Sequence, residues 1–332
     1  MAVDLPFIWA GIIAFSVLAY VMLDGFDLGI GILFPLIGER EHRDTMMNSV
    51  APVWDGNETW LVLGGGGLLA AFPLAYAIVM PALYVPIIAM VLALIFRGVA
   101  FEFRWKTERG RRIWDWAFAL GSIIAALTQG IALGALVQGI PVVGRAYGGG
   151  WWDWLTSFSL LTGIALVFGY ALLGSAWLIL KTEGEVQSRA YRYARVAGFA
   201  TIVFIAAVSL WTPFLNPVYM SRWFVFPQIL YTAPVPLMVV GCLYGLLRGL
   251  NERRDLLPFL AAQGLFILSY AGIGISFYPF IVPPSVSIWD AAAPVESQWF
   301  LLIGTMILIP LILAYTAYAY WVFRGKTGTF YR

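Results

Sequence analysis

Long apolar runs separated by short polar segments dominate the chain. A membrane-crossing helix needs about 20 mostly apolar residues. Nine stretches meet that length: residues 7–35, 54–73, 76–101, 114–137, 155–180, 194–214, 224–247, 256–281 and 299–323. The connections between them are short, and no internal repeat or low-complexity linker interrupts the pattern. It predicts an all-α, polytopic membrane protein in which residues 1–332 form a single integral-membrane domain. Pro73 punctuates the boundary between the second and third runs. Pro81 and Pro86 in the third run and Pro310 in the ninth are expected to kink their helices without ending them, because neighbouring helices can re-satisfy the freed backbone groups. The first run carries Asp4 but no preceding basic residue, and it is too long for the apolar segment of a cleavable signal.

Composition narrows the class. Only 11% of the 332 residues are charged and 61% are hydrophobic, whereas a soluble domain is about a quarter charged. A soluble enzyme, a nucleic-acid binder and a disordered chain are excluded. A net charge of +2 is too mild to point to an anionic macromolecule. One Cys, Cys242, and one His, His42, leave no disulfide framework and no CxxC metal or redox motif.

The basic residues set an expected orientation. Seventeen of the 20 Lys and Arg residues fall after the first, third, fifth, seventh and ninth runs, the last group being Arg324, Lys326 and Arg332. The opposite side has only Arg145 and Arg222, and Arg97 lies inside the third run. This asymmetry predicts nine spans with the N-terminus outside and the C-terminus in the cytoplasm.

Charge inside a span costs roughly 2.5–3.5 kcal/mol even on insertion scales, so each such residue calls for a partner or a role. The first run holds Asp24 and Asp27 in DGFDLGIG, and the second opens with Asp55 and Glu58 in VWDGNETW. Both pairs are spaced i,i+3, which places two carboxylates on one helical face. Asp24 falls about 25 Å along an inward-running helix, at the depth where the second helix starts. Four acids therefore converge near the cytoplasmic side, with Asn57 available to bridge them and Arg97 and Glu102 as candidate ion-pair partners. Three readings fit the spacing: a cytoplasmic proton entry, a helix-end ion-pair network, and a hard-cation site. Gly25, Gly29 and Gly31, with Gly64 to Gly67, favour helix packing over a cofactor slot. Tyr315, Tyr318 and Tyr320 on the last helix are expected to pack, and the abundant Trp and Tyr fit interfacial belts.

Haem in membrane bundles is usually held by His, Met or Cys. His42 falls among Glu39, Arg40, Glu41, Arg43 and Asp44 in the first charged loop and is expected to be a surface residue. Met22, Met80, Met90, Met238, Met306 and Cys242 offer lone ligands without a bis-axial pair. The chain also lacks a Walker loop and a GxGxxG after a strand. It therefore reads as a transporter or as the partner of a redox subunit.

The motifs decide between these. DGFDLGIG at 24–31, NSVAPVWDGNETWLVLGGG at 48–66 and IFRGVAFEFR at 95–104 resemble signatures of subunit II of the cytochrome bd-type quinol oxidases. So do RIWDWAFALGS at 112–122, FYPFIVPPSVSIWDAAAP at 277–294 and LIPLILAYTAYAYWVFRG at 308–325. The NETW ending and the short length are more similar to the cyanide-insensitive branch. The resemblance implies nine helices arranged as two four-helix bundles plus one peripheral helix, in the inner membrane of a bacterium. It implies a complex that oxidises quinol and reduces dioxygen to water. Subunit I would carry two b-type haems and haem d, and this chain none. The roles implied here are to stabilise subunit I, to hold a structural ubiquinone in some members, and to line a cytoplasmic proton path; a small single-helix subunit is a further implied partner. The family's proton-path aspartate falls on Asp55, with Asp24 and Asp27 as its acidic pair; Glu58 replaces a neutral residue of some relatives. A proton-coupled secondary transporter using the same acids is the alternative, although such proteins usually show inverted repeats and acids at the midplane.

Overall fold

The computed structural model describes residues 3–327, and most of these are helical. Thirteen α-helices follow in order: α1 Leu5–Leu33, α2 Arg40–Asn48, α3 Trp54–Ala71, α4 Pro73–Ala82, α5 Tyr84–Lys106, α6 Arg111–Gln138, α7 Ser157–Lys181, α8 Gly184–Trp211, α9 Pro217–Phe224, α10 Gln228–Thr232, α11 Pro234–Asn251, α12 Leu257–Phe277 and α13 Val295–Val322. Two short antiparallel hairpins, β1 Val142–Val143 with β2 Ala146–Tyr147 and β3 Phe280–Val282 with β4 Val286–Ser287, cap one end of the helices. The charged turns and α2 lie at the other. Arg332 falls outside the described residues.

Among the described residues, eight helical segments are long and apolar enough to cross a membrane, and the bent pair α3–α4 brings the number to nine at most. This differs from the nine straight runs expected. Between Ala71 and Pro73 the chain turns by 119°. Phe72 leaves the helical region (φ −133°, ψ 63°) because the ring of a following proline crowds it out of that conformation. The predicted run 76–101 is divided separately at Leu83 (φ −113°, ψ 22°), between α4 and α5, contrary to the expectation that Pro81 and Pro86 only kink it. Pro81 lies next to the last residue of α4, and Pro86 is third in α5, where its missing N–H costs nothing. Pro310 does lie within an unbroken α13. Helix α8 starts ten residues before the expected 194, because Val186, Ala190, Ala194 and Ala197, spaced by four, four and three, keep one buried face through a polar stretch.

Helix α1 packs against α3, α6 and α7, and α5 packs on α6. In turn, α6 packs on α7, α7 on α8 and α12, and α11 on α12, with α13 lying against α3 and α1. Every residue from Asp24 to Gly31 is buried, so the second half of α1 is enclosed on all sides. Small residues permit this. A Cβ at Gly29 would meet the Tyr170 carbonyl oxygen, and one at Gly31 the Ser122 hydroxyl. Of the run Gly64 to Gly67 in α3, Gly64 and Gly67 face α1, whereas Gly65 and Gly66 meet nothing within 4 Å.

Candidate functional site

The site forms where the second half of α1, the start of α3 and the middle of α5 meet. Its centre is Arg97, fully buried. Arg97 Nη2 lies 2.8 Å from Asp24 Oδ1 and 3.8 Å from Asp27 Oδ2, and Nη1 lies 2.6 Å from Glu58 Oε1. Both aspartates are fully buried and Glu58 is 26% exposed. Asp27 Oδ2 also accepts from Asn57 Nδ2 at 2.7 Å, and Asn57 Oδ1 accepts from the Tyr320 hydroxyl at 3.0 Å. Asp24 Oδ2 and Asp27 Oδ1 are buried and have no hydrogen-bond partner. One helical turn from Asp24, the Tyr20 hydroxyl accepts from Gln129 Nε2 at 2.8 Å, and Gln129 Oε1 accepts from the Tyr170 hydroxyl at 2.9 Å. A polar chain therefore reaches from the cluster into the α1–α6–α7 core.

Of the residues singled out by sequence, Asp24, Asp27, Asn57, Glu58 and Arg97 come together. Asp55 does not touch them. It is exposed at the start of α3, one turn before Glu58. Glu102 is a correction. It is 65% exposed and pairs with Lys106 at 3.2 Å, because five residues of helix turn it about 140° away from Arg97. Tyr320 is a second correction, since its hydroxyl joins the site through Asn57 while Tyr315 and Tyr318 stay exposed. His42 is partly exposed beside Glu39, its Nδ1 3.4 Å from Glu39 Oε2.

Sequence reasoning missed a second buried arginine. Arg104 is fully buried and meets Asp44 Oδ1 and Asp115 Oδ1, each at 2.6 Å; Arg43 reaches Asp115 Oδ2 at 2.9 Å. Arg104 follows Arg97 by seven residues, two helical turns along one face, and that spacing was the available signal.

A model of the family described as cytochrome bd terminal oxidase subunit II matches residues 5–323. The chain belongs to this family. Cytochrome bd-I ubiquinol oxidase subunit 2 of Escherichia coli K12 is 32% identical over 97% of this chain and 95% of its own. Cytochrome bd ubiquinol oxidase subunit 2 of Bacillus subtilis 168 is 27% identical over 97% and 96%. In fold, the chain is similar to one in the bd oxidase from Geobacillus thermodenitrificans, with a TM-score of 0.79 at 16% identity over 97% and 99% of the two chains. It is thus a multi-pass terminal-oxidase subunit, and the transporter reading is not favoured.

Proposed function

We propose that this chain is the haem-free subunit of a quinol:oxygen oxidoreductase in a bacterial inner membrane, stabilising a haem-bearing subunit I and conducting protons from the cytoplasm. The path runs from Asp55 through Glu58 to Asp24 and Asp27, with Asn57 fixing Asp27. The observation that carries this reading is the charge balance at Arg97. One guanidinium faces three carboxylates, and a buried charge without a counter-charge costs several kcal/mol. A proton on one of the acids removes part of that surplus, and the unpartnered Asp24 Oδ2 and Asp27 Oδ1 have room for it. Exposure falls in the order a path requires, from exposed Asp55 to Glu58 at 26% to the fully buried aspartates.

The donor set does not fit a haem in this chain, since the single His lies in the short α2 and not in a span, so the two b-type haems and haem d are assigned to subunit I. Sixteen of the described basic residues follow the first, third, fifth, seventh and ninth apolar runs, and this supports a cytoplasmic placement for the α2 end, with the N-terminus outside. We take the whole chain as one membrane domain, with its helices grouped as two four-helix bundles and a peripheral helix.

Asp55→Asn in the co-purified complex tests the path. The haem spectrum should be unchanged while quinol-driven oxygen consumption falls about tenfold or more, the scale of a lost proton-transfer group. Full turnover with Asn at position 55 would refute the path and leave a structural role.

A further inference from the structure

We propose that the corner formed by α2, the end of α5 and the start of α6 binds the phosphate of an anionic phospholipid. Four guanidiniums gather there against two carboxylates. Arg104 takes both Asp44 and Asp115, Arg43 shares Asp115, and Arg40 lies 4.0 Å from Asp44. Arg111 has no acid. Its Nε donates to the Arg104 carbonyl at 3.2 Å, and its Nη1 is buried without a partner, as is Nη2 of the fully buried Arg104. The two guanidiniums lie 5.1 and 5.9 Å from the centroid of the same Trp105 ring. Two like charges are thus held together with donors left over.

The backbone adds to the excess. Helix α6 begins at Arg111 and has no acidic residue in its first turn. Its free N–H groups and the positive end of its dipole therefore meet Arg111 and Arg112 of the same sign, which is unfavourable until an anion sits between them. A phosphate group supplies several acceptor oxygens and takes bidentate bonds from arginine.

The surroundings select a lipid over free phosphate. Ile113, Trp116 and Leu120 form an exposed apolar line down α6 below the exposed Arg112, on the side of the helix away from Arg111, with Phe103 exposed on neighbouring α5. Trp105 and Trp114 flank the headgroup level, the depth that such rings prefer. A cationic corner above an apolar track matches a negatively charged headgroup with its acyl chains. A zwitterionic lipid brings its own ammonium into a corner that already has surplus cation.

The experiment uses the intact complex, delipidated in detergent. Phosphatidylglycerol, phosphatidylcholine and sodium phosphate are added separately, reading bound lipid by native mass spectrometry and the thermal midpoint of the complex. Phosphatidylglycerol should be retained and should raise the midpoint, with phosphatidylcholine and phosphate without effect. Arg111→Gln should weaken phosphatidylglycerol binding about tenfold or more, the equivalent of one charge-assisted hydrogen bond. Arg111→Lys should keep part of it, and Arg192→Gln, an exposed cation on α8, should keep all of it. The proposal fails if Arg111→Gln binds phosphatidylglycerol as the parent does, if phosphatidylcholine binds equally well, or if inorganic phosphate gives the full shift.

Discussion

Arg97 and Arg104 occupy the same face of α5, two turns and about 10 Å apart, and both are fully buried. Their surroundings have opposite balances. Arg97 is outnumbered by Asp24, Asp27 and Glu58 from α1 and α3. Arg104 shares two acids, from α2 and α6, with Arg43 and Arg40 while Arg111 stands unpaired beside it. Each imbalance calls for a counter-charge from outside the side chains themselves. Deeper in the helices, where acid is in surplus, a proton can supply it. At the charged end, where cation is in surplus, the available counter-charge is an anionic headgroup. One helix face thus carries two arginines with opposite charge balances, which the proposed proton path and the proposed lipid site would each complete.

The largest effect should come from Arg97→Gln. Three carboxylates would lose the only cation that pairs with them among the described residues, and breaking a buried ion network costs about 3–5 kcal/mol. The expected outcome is a complex that fails to assemble or melts far below the parent, measured as haem retained on purification and the midpoint of thermal unfolding. Arg97→Lys should rescue little, since a single ammonium lacks the fork that reaches Asp24 and Glu58 together. Arg104→Gln should cost less, about 1–3 kcal/mol, because Asp44 and Asp115 keep 26% and 12% of their side-chain surface open to water. If Arg104→Gln proved the more damaging of the two, the distinction between a sealed inner cluster and a water-accessible outer one would be lost.

Within the inner cluster the two aspartates should separate. Asp24→Asn removes the carboxylate 2.8 Å from Arg97, whereas Asp27→Asn removes one 3.8 Å away that contributes to the acid surplus. Asp24→Asn should therefore lower the thermal midpoint clearly. Asp27→Asn should change stability by less than about 1 kcal/mol, within the range of a modest hydrogen-bond change, while altering turnover. Equal stability losses for the two would show that no surplus exists.

What the sequence revealed about these clusters follows from where charge is unusual. Asp24, Asp27 and Arg97 stand out because they interrupt apolar runs, so their convergence with Glu58 was legible from spacing and span order. Arg104 falls where a span ends and basic residues are ordinary. Its burial comes from α2 and the start of α6 closing over it, long-range packing that local pattern does not encode. Glu102 misled for the opposite reason, since nearness in sequence to Arg97 hides a 140° turn of the helix. The spans themselves were legible from apolar length, but the break at Phe72–Pro73 was not. A proline marks a boundary equally well whether the chain continues straight or turns by 119°.

The smallest effect should appear in a third ionic group, at the surface. Arg189 takes both oxygens of Glu39, at 2.7 and 2.9 Å, and also pairs with Glu185. These bonds hold the Glu39 carboxyl down to about 2 from an ordinary value of 4.5. A carboxyl whose folded-state value is depressed stabilises the fold above its unfolded value, and that contribution disappears as pH falls toward the folded one. The difference in thermal midpoint between the parent and Glu39→Gln should therefore be small and flat from pH 8 to about pH 5, then narrow as the pH drops through about 4.5 toward 2. Added salt should shrink it at every pH, because exposed charges are screened. The Arg97 effect should persist in the same salt, because water and ions do not reach its fully buried guanidinium and aspartates, and the Arg104 effect should fall between the two, because its partners are partly open to water. If salt erased all three alike, the clusters would be solvated, and neither a stored proton nor a bound headgroup would be needed to balance them.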